Sequence, residues 1–584
     1  MNQKTLKKRI AVAAKKEPAD TVVVNGKIID VFNQEIIEAD LAIVDGVIAG
    51  IGKYNGHNVI DAKGKYISPG FIDGHVHIES AMVTPAEFAK VVLPHGVTTV
   101  IADPHEIANV SGVDGIQFML DASDDIPLNV YIGIPSCVPA TPFENAGAIL
   151  EAIDLKPFYN HDRCIALGEV MDYPAVHNRD DAMLEKLLQA MENERVIDGH
   201  AAGIEQNGIN VYMAAGITSD HECTTSEEAK DRLQRGMYVM LREGSASRDL
   251  RELLKAVNDK NARRCLFVTD DKHLDDIIEE GSIDHNVRVA IEHGISPITA
   301  IQMATLNGAE RFKLTRKGAI APGYDADFLL LDNLEEVMIS ETYVSGELVA
   351  KNGHCNQKIV SSVPDDRLMN SVNMKEINKE DLQINLPDDN VVNVISIIPN
   401  SIVTKHHIQK VPVQNKQFIP SIKDDLSKLV VLERHHSRGT VGLGILNGLG
   451  LKTGAIASTI AHDSHNIVAA SMNDEDLLKA VHVIREMQGG IAVVDKGEVL
   501  ASIPLTISGL ISNNHYQAVY DGLQRVNDAL SAIGFEGDFN PFITLSFLAL
   551  PVIPELKLTD QGLFDVKQFK HISIERNEIY SNNN

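Results

Sequence analysis

Cysteine is scarce in this chain and badly spaced for pairing. Its five cysteines, Cys137, Cys164, Cys223, Cys265 and Cys355, lie far apart with no CxxC among them. An odd, scattered set excludes a disulfide framework and fits a reducing, cytoplasmic compartment. Long apolar runs are missing as well. The stretch 10–14 is too short for the core of a signal peptide, and the run 543–553 is interrupted by Pro551 and too short to span a bilayer. Basic residues are few: 53 Lys and Arg stand against 81 Asp and Glu, a net charge of −28. So acidic a surface repels phosphate backbones and anionic lipid, which argues against nucleic acid and membrane as partners and says little about a small neutral substrate. Internal repeats and low-complexity tracts are also absent.

What is present is a soluble globular composition, 44% hydrophobic and 23% charged, in 584 residues. That length is too great for one core, so several domains are expected. Residues 1–67 open with a basic helical segment, followed by β-type runs at 21–24, 28–31, 41–44 and 47–51. Asn25-Gly26, Asp45-Gly46 and Gly50 punctuate these runs and predict hairpins. A similar block returns at 315–355, and the two flanks together predict one small β-sandwich domain. Between them, at 68–314, strand-like runs end at His77, Asp103, Pro135, Glu169, His200, Asp220, Arg242 and Asp270. Helical stretches at 85–93, 181–191, 226–233 and 249–257 alternate with them. In the second of these, Leu184, Leu187, Leu188 and Met191 are predicted to form the buried stripe. Eight βα units match a (β/α)8 TIM-like barrel. A doubly wound open sheet would need a glycine-rich phosphate loop after its first strand, and there is none. Residues 356–584 begin polar and then alternate strand runs (391–398, 429–432, 491–494) with a helical pattern at 474–487, which predicts a C-terminal α+β domain.

The chemistry is concentrated at the predicted strand ends. In the stretch 69–77, Pro-Gly-Phe-Ile-Asp-Gly-His-Val-His, His75 and His77 sit two apart on a strand and share one face, so both can close on one ion. Gly70 and Gly74 would let backbone and metal approach closely. Glu169, His200, His221 and Asp270 end four further strands, and strand ends of a barrel converge on one mouth. Any one of them alone is more simply a satisfied polar group at a rim, but six together are not. Four imidazoles and two carboxylates without a thiolate suit a pair of borderline divalent ions, Mn2+, Fe2+ or Zn2+. Two such ions need a bridging anion, for which Glu169 is the candidate. Asp270 is then ligand and proton shuttle, and Glu222, beside His221, is a second acid–base candidate.

These stretches carry a resemblance. Residues 69–80, 101–110 (Ile-Ala-Asp-Pro-His-Glu-Ile-Ala-Asn-Val), 166–171, 198–201, 219–222 and 268–271, with 461–466 near the C-terminus, are similar to the amidohydrolase superfamily. Within it they resemble the bacterial adenine deaminases, over essentially the whole chain. The resemblance implies hydrolysis of adenine to hypoxanthine and ammonia, in purine salvage. It also implies a binuclear centre, with Mn2+ foremost, held by His75, His77, Glu169, His200, His221 and Asp270, and a homodimer. Glu169 stands where relatives that cleave cyclic amides use a carboxylated lysine, which argues against that chemistry. Aromatic C6 is a poor electrophile, so a ring nitrogen must be protonated or hydrogen-bonded, and His105 and Glu106 are the partners expected. His462 and His465 would share a helical face and act as a lid. His406-His407 and His435-His436 are given no role. The alternatives are a deaminase of another nucleobase and a non-catalytic amidohydrolase-like scaffold. The unrelated zinc deaminases are excluded, because His77-Ile-Glu79 spells H-x-E but no P-C-x-x-C follows.

Overall fold

The computed structural model describes residues 2–362, 364–387 and 391–575. Its central section is built on parallel strands that follow one another in chain order: β1 (Phe71–Val76), β2 (Val97–Ala102), β3 (Asn129–Ile134), β4 (Cys164–Val170), β5 (Val196–Gly199), β6 (Ser219–Asp220), β7 (Tyr238–Arg242) and β8 (Cys265–Val268). The first five make one sheet and the last three another. Parallel bridges, Ile197 with Ile217 and Val76 with Asp270, join the two sheets at both ends. β1, β2 and β8 are buried at every position; β8 is a continuous apolar run, whereas β1 and β2 also bury Asp73, His75, Thr98 and Thr99. Gly70 and Gly74 serve this packing, not a metal. A Cβ at Gly74 would lie 2.4 Å from Leu266 Cδ1, and one at Gly70 would lie 2.2 Å from Thr98 Oγ1.

The helices begin where their caps predict. Thr84 caps Pro85–Val92, and Asp180 caps Asp181–Glu192 by accepting from the Ala182 and Met183 N–H groups. The second helix corrects the expected stripe. Its buried residues are Met183, Lys186, Leu187 and Ala190, whereas Leu188 and Met191 are 56% and 43% exposed. The helix is rotated because Lys186 lays its apolar stem inward and donates from Nζ to the Ser136 carbonyl at 2.8 Å.

The chain's two flanks mix in the β-rich part. One sheet holds Val47–Gly52, Asp40–Val44, Ala19–Val24 and Gly56–Asp61. The other combines Lys27–Asp30, Glu35–Glu38 and Tyr66–Pro69 with Phe328–Leu331, Ile339–Val344, Glu347–Lys351 and His354–Cys355. Val23, Ile28, Ile43, Ile67 and Phe328 share a core between them. Asp45-Gly46 closes a hairpin with φ of 48° and 71°, as expected. Asn25-Gly26 does not: the strands on either side of it belong to different sheets, and the turn is a corner.

The C-terminal section is an eight-stranded sheet with helices Asp474–Met487 and Tyr516–Ala532 packed against it. A turn at 461–466 joins Ala455–Ser458 to Ile467–Ser471, and a fully buried short helix, Pro541–Phe547, occupies the start of the apolar run noted above. Both reach the central section. Among the described residues, no helix is long and apolar enough to cross a membrane.

Candidate metal centre

His75 and His77 leave the end of β1 with their Nε2 atoms 3.1 Å apart. The far nitrogen of each ring is already held: His75 Nδ1 donates to Asp198 Oδ2 at 3.2 Å, and His77 Nδ1 to the Asp103 carbonyl at 3.0 Å. In neutral rings this leaves a bare lone pair on each Nε2, aimed at one point. Two lone pairs that close together repel unless a cation lies between them. Asp270 Oδ1 adds an oxygen donor, 3.1 Å from His77 Nε2 and 3.4 Å from His75 Nε2.

Glu169 divides its carboxylate between two imidazole pairs. Oε1 lies 3.5 Å from His75 Nε2 and 3.4 Å from His77 Nε2, while Oε2 lies 2.6 Å from His200 Nδ1 and 3.3 Å from His221 Nε2. All six residues are buried. Burial opposes charge on His75, Glu169 and Asp270, but their neighbours override it. His75 is raised well above the usual imidazole range by Asp198, Asp270 and Glu169. Glu169 is held well below the carboxylate range by His221 and His200, and Asp270 by His75, His77 and Arg242. A field that favours a proton on these rings equally favours a divalent cation. The donor set therefore fits two metal ions, with imidazole and carboxylate ligands and no sulfur.

Several contributors were not singled out from the sequence. Arg242 is 1% exposed; its guanidinium forks across both oxygens of Glu222 and donates to Asp270 Oδ2 at 3.1 Å. Glu222 therefore faces the site, and does not point into the strand layers. Asp198, two residues before the histidine that ends its run, orients His75. The signal for both was an ionisable residue inside or at the end of a buried strand, which is rarely tolerated without a partner.

His105 opens the helix His105–Asp121 and sits edge-on to His77, with ring centres 4.7 Å apart. Its Nδ1 lies 3.5 Å from Glu169 Oε1 and its Nε2 3.4 Å from Glu106 Oε1. Glu106 is engaged on both oxygens: His462 Nδ1 is 2.7 Å from Oε1, and His465 Nε2 contacts Oε2. These two histidines thus reach the central section, but from the turn at 461–466 and not from a helix. The turn is fixed by the wholly buried Arg434, which donates to the His465, Ser371 and Ser508 carbonyls. His435, given no role from sequence, donates from Nε2 to the Ser464 carbonyl at 2.7 Å. His406 and His407 bond within their own sheet, to Asn393 and Ser396. Phe547 and Leu550 close the cavity from the C-terminal side, and a larger cavity of about 440 Å³ adjoins it at Met171 and His200.

Comparison with known proteins finds relatives of both parts of the chain. Residues 66–353 match the amidohydrolase family, and residues 401–570 match the adenine deaminase C-terminal domain. The chain is 56% identical to an adenine deaminase of Halalkalibacterium halodurans over 97% of its own length and 98% of the relative's. It is 56% identical to that of Geobacillus kaustophilus (98% and 99% covered) and 51% identical to that of Bacillus subtilis (98% and 100%). With both of its parts matched and its full length aligned, the chain belongs to the adenine deaminase family of amidohydrolases.

Proposed function

We propose that the chain hydrolyses the exocyclic C6–N bond of adenine, releasing hypoxanthine and ammonia. The observation that carries the reading is Glu169, one carboxylate shared between two pairs of imidazoles at converging strand ends. His75, His77 and Asp270 would hold one divalent ion, His200 and His221 the other, and Glu169 would bridge them. Two ions so held lower the pKa of water enough to supply a hydroxide nucleophile at neutral pH. Manganese is the first choice from the family resemblance, with iron or zinc as alternatives, since nitrogen and oxygen donors without sulfur suit all three.

The chain's own residues do the rest. Asp270 has Oδ1 toward the imidazoles and Oδ2 tied to Arg242, so its carboxylate is aimed before substrate arrives. It accepts the proton of the attacking water and returns it to the departing amine. Glu222, held by the same guanidinium, is the second acid–base group. His105 and Glu106, which line the same cavity as Glu222 and Asp270, serve the purine ring nitrogen.

The eight strands, bridged at both seams, form in this reading a closed (β/α)8 barrel at 68–314. It would be flanked by a β-sandwich domain (1–67 with 315–355) and a C-terminal α+β domain (356–584, of which 576–584 lie outside the described residues). Five free cysteines support a cytoplasmic location. A homodimer follows from the family alone, and light scattering tests it. The decisive experiment is adenine turnover, read by the ultraviolet shift to hypoxanthine and by ammonia release, with guanine, cytosine and isoguanine in parallel. Turnover of adenine with close to two metal equivalents per chain supports the reading. Consumption of another base instead, or of none, overturns it.

A further inference from the structure

Asp463 stands in the cavity wall, beside His462, contributed by the C-terminal turn. It is 2% exposed, and its Oδ2 has no hydrogen-bond partner. The nearest candidate, His105 Nε2, is 3.8 Å away, beyond hydrogen-bond distance. A buried carboxyl oxygen without a donor is costly, and a carboxylate can only accept. Asp463 therefore wants an N–H that arrives with the ligand.

The position narrows which N–H that is. His105 separates Asp463 from the proposed metal centre, with Nδ1 3.5 Å from Glu169 and Nε2 toward Asp463. A purine whose C6 faces Glu169 and Asp270 presents its amino group there and carries its one other donor, the imidazole-ring N9–H of its predominant tautomer, on its far edge. Phe547, stacked on His462 with centres 4.4 Å apart, adds an apolar wall beside that edge.

We propose that Asp463 is a specificity-determining residue that accepts the imidazole-ring N–H of the free base and rejects purines substituted there, nucleosides included. This rests on the proposed deaminase site. A purine carrying a methyl or sugar on that nitrogen brings no donor and leaves the carboxylate stranded in a dry wall. The C-terminal section is by this account part of the substrate site, with the turn rigidified through Arg434, His435 and Glu106 so that one carboxyl group keeps its aim.

Binding tests it without relying on turnover. Calorimetry on the metal-loaded enzyme should show hypoxanthine binding at least about 100-fold more tightly than 7-methyl- or 9-methylhypoxanthine, neither of which has an imidazole N–H. In Asp463→Ala that ratio should collapse to within about threefold, and in Asp463→Asn the KM for adenine should rise at least about tenfold with kcat little changed. Methylated hypoxanthines that bind wild-type enzyme as tightly as hypoxanthine overturn the proposal even if neither variant folds, as does an unchanged ratio in Asp463→Ala. Wild-type enzyme that holds two metal equivalents yet consumes no adenine refutes the deaminase reading, a different outcome from either of these.

Discussion

Asp198→Asn is a one-atom change that should unbalance the metal centre. Asp198 Oδ2 accepts from His75 Nδ1 at 3.2 Å, while Oδ1 accepts from the Gly199 N–H at 3.0 Å and from the Ser219 hydroxyl. In the variant the backbone N–H claims the amide oxygen, so the NH2 group must face His75. Two donors cannot face each other, and the neutral ring can relieve the conflict only by moving its proton to Nε2. That removes the lone pair aimed, with His77, at the first ion. Loss of an outer partner of a metal-bound histidine typically costs about 10–100-fold in metal affinity, about 1.4–2.7 kcal/mol. The loss should fall on one ion only, because Asp198 does not touch His200 or His221. Chelator competition followed by metal analysis should show one equivalent leaving about 10–100-fold more readily than in wild type and the second unchanged. Equal weakening of both ions, or of neither, refutes the tautomer argument.

Four further outcomes are expected. Glu169→Gln removes the shared anion, so metal content should fall well below two equivalents and adenine turnover should drop by at least about 1,000-fold, read by metal analysis and initial rates. Gly74→Ala places a methyl 2.4 Å from Leu266 Cδ1 and should lower stability by about 1–3 kcal/mol in urea unfolding. Arg434→Met leaves three carbonyls of the 461–466 framework without a donor, so the denaturation midpoint should drop and the KM for adenine should rise in the same variant. Lys557 is wholly buried, donating to the Ile402 and Phe547 carbonyls, and burial pushes its amine down to about 7. Its folded pKa is thus below the unfolded value, so the unfolded chain binds the extra proton between pH 7 and 10. Its contribution to stability must then rise with pH by about 1.4 kcal/mol per unit across that window and flatten below it. Urea midpoints of wild type and Lys557→Met at pH 7, 8 and 9 should diverge by that slope, and parallel curves would refute it.

Much of the site was legible because strands and metals both impose short-range rules. The two-residue spacing of His75 and His77 dictates one face, and an apolar run ending in Glu169 or Asp270 marks a strand whose terminus bears chemistry. The β-hairpin at Asp45-Gly46 and the helix over 474–487 were equally local. The stripe of Asp181–Glu192 was misread because Lys186 counts as polar by residue type while its stem buries as an apolar chain. Asn25-Gly26 was misread because a turn signal does not say whether the next strand returns to the same sheet.

From composition, periodicity and spacing alone came the scattered unpaired cysteines, the lack of a long apolar run, the alternating strands and helices, and the six donors at strand ends. Tertiary structure alone decided who stands behind those donors: Asp198 on His75, Arg242 across Glu222 and Asp270, and a turn 356 residues beyond Glu106 gripping its carboxylate. The division has one cause. Backbone geometry repeats every two or 3.6 residues and so leaves a trace in neighbouring positions, whereas a buried charge needs only a partner within a few ångströms, wherever in the chain that partner lies.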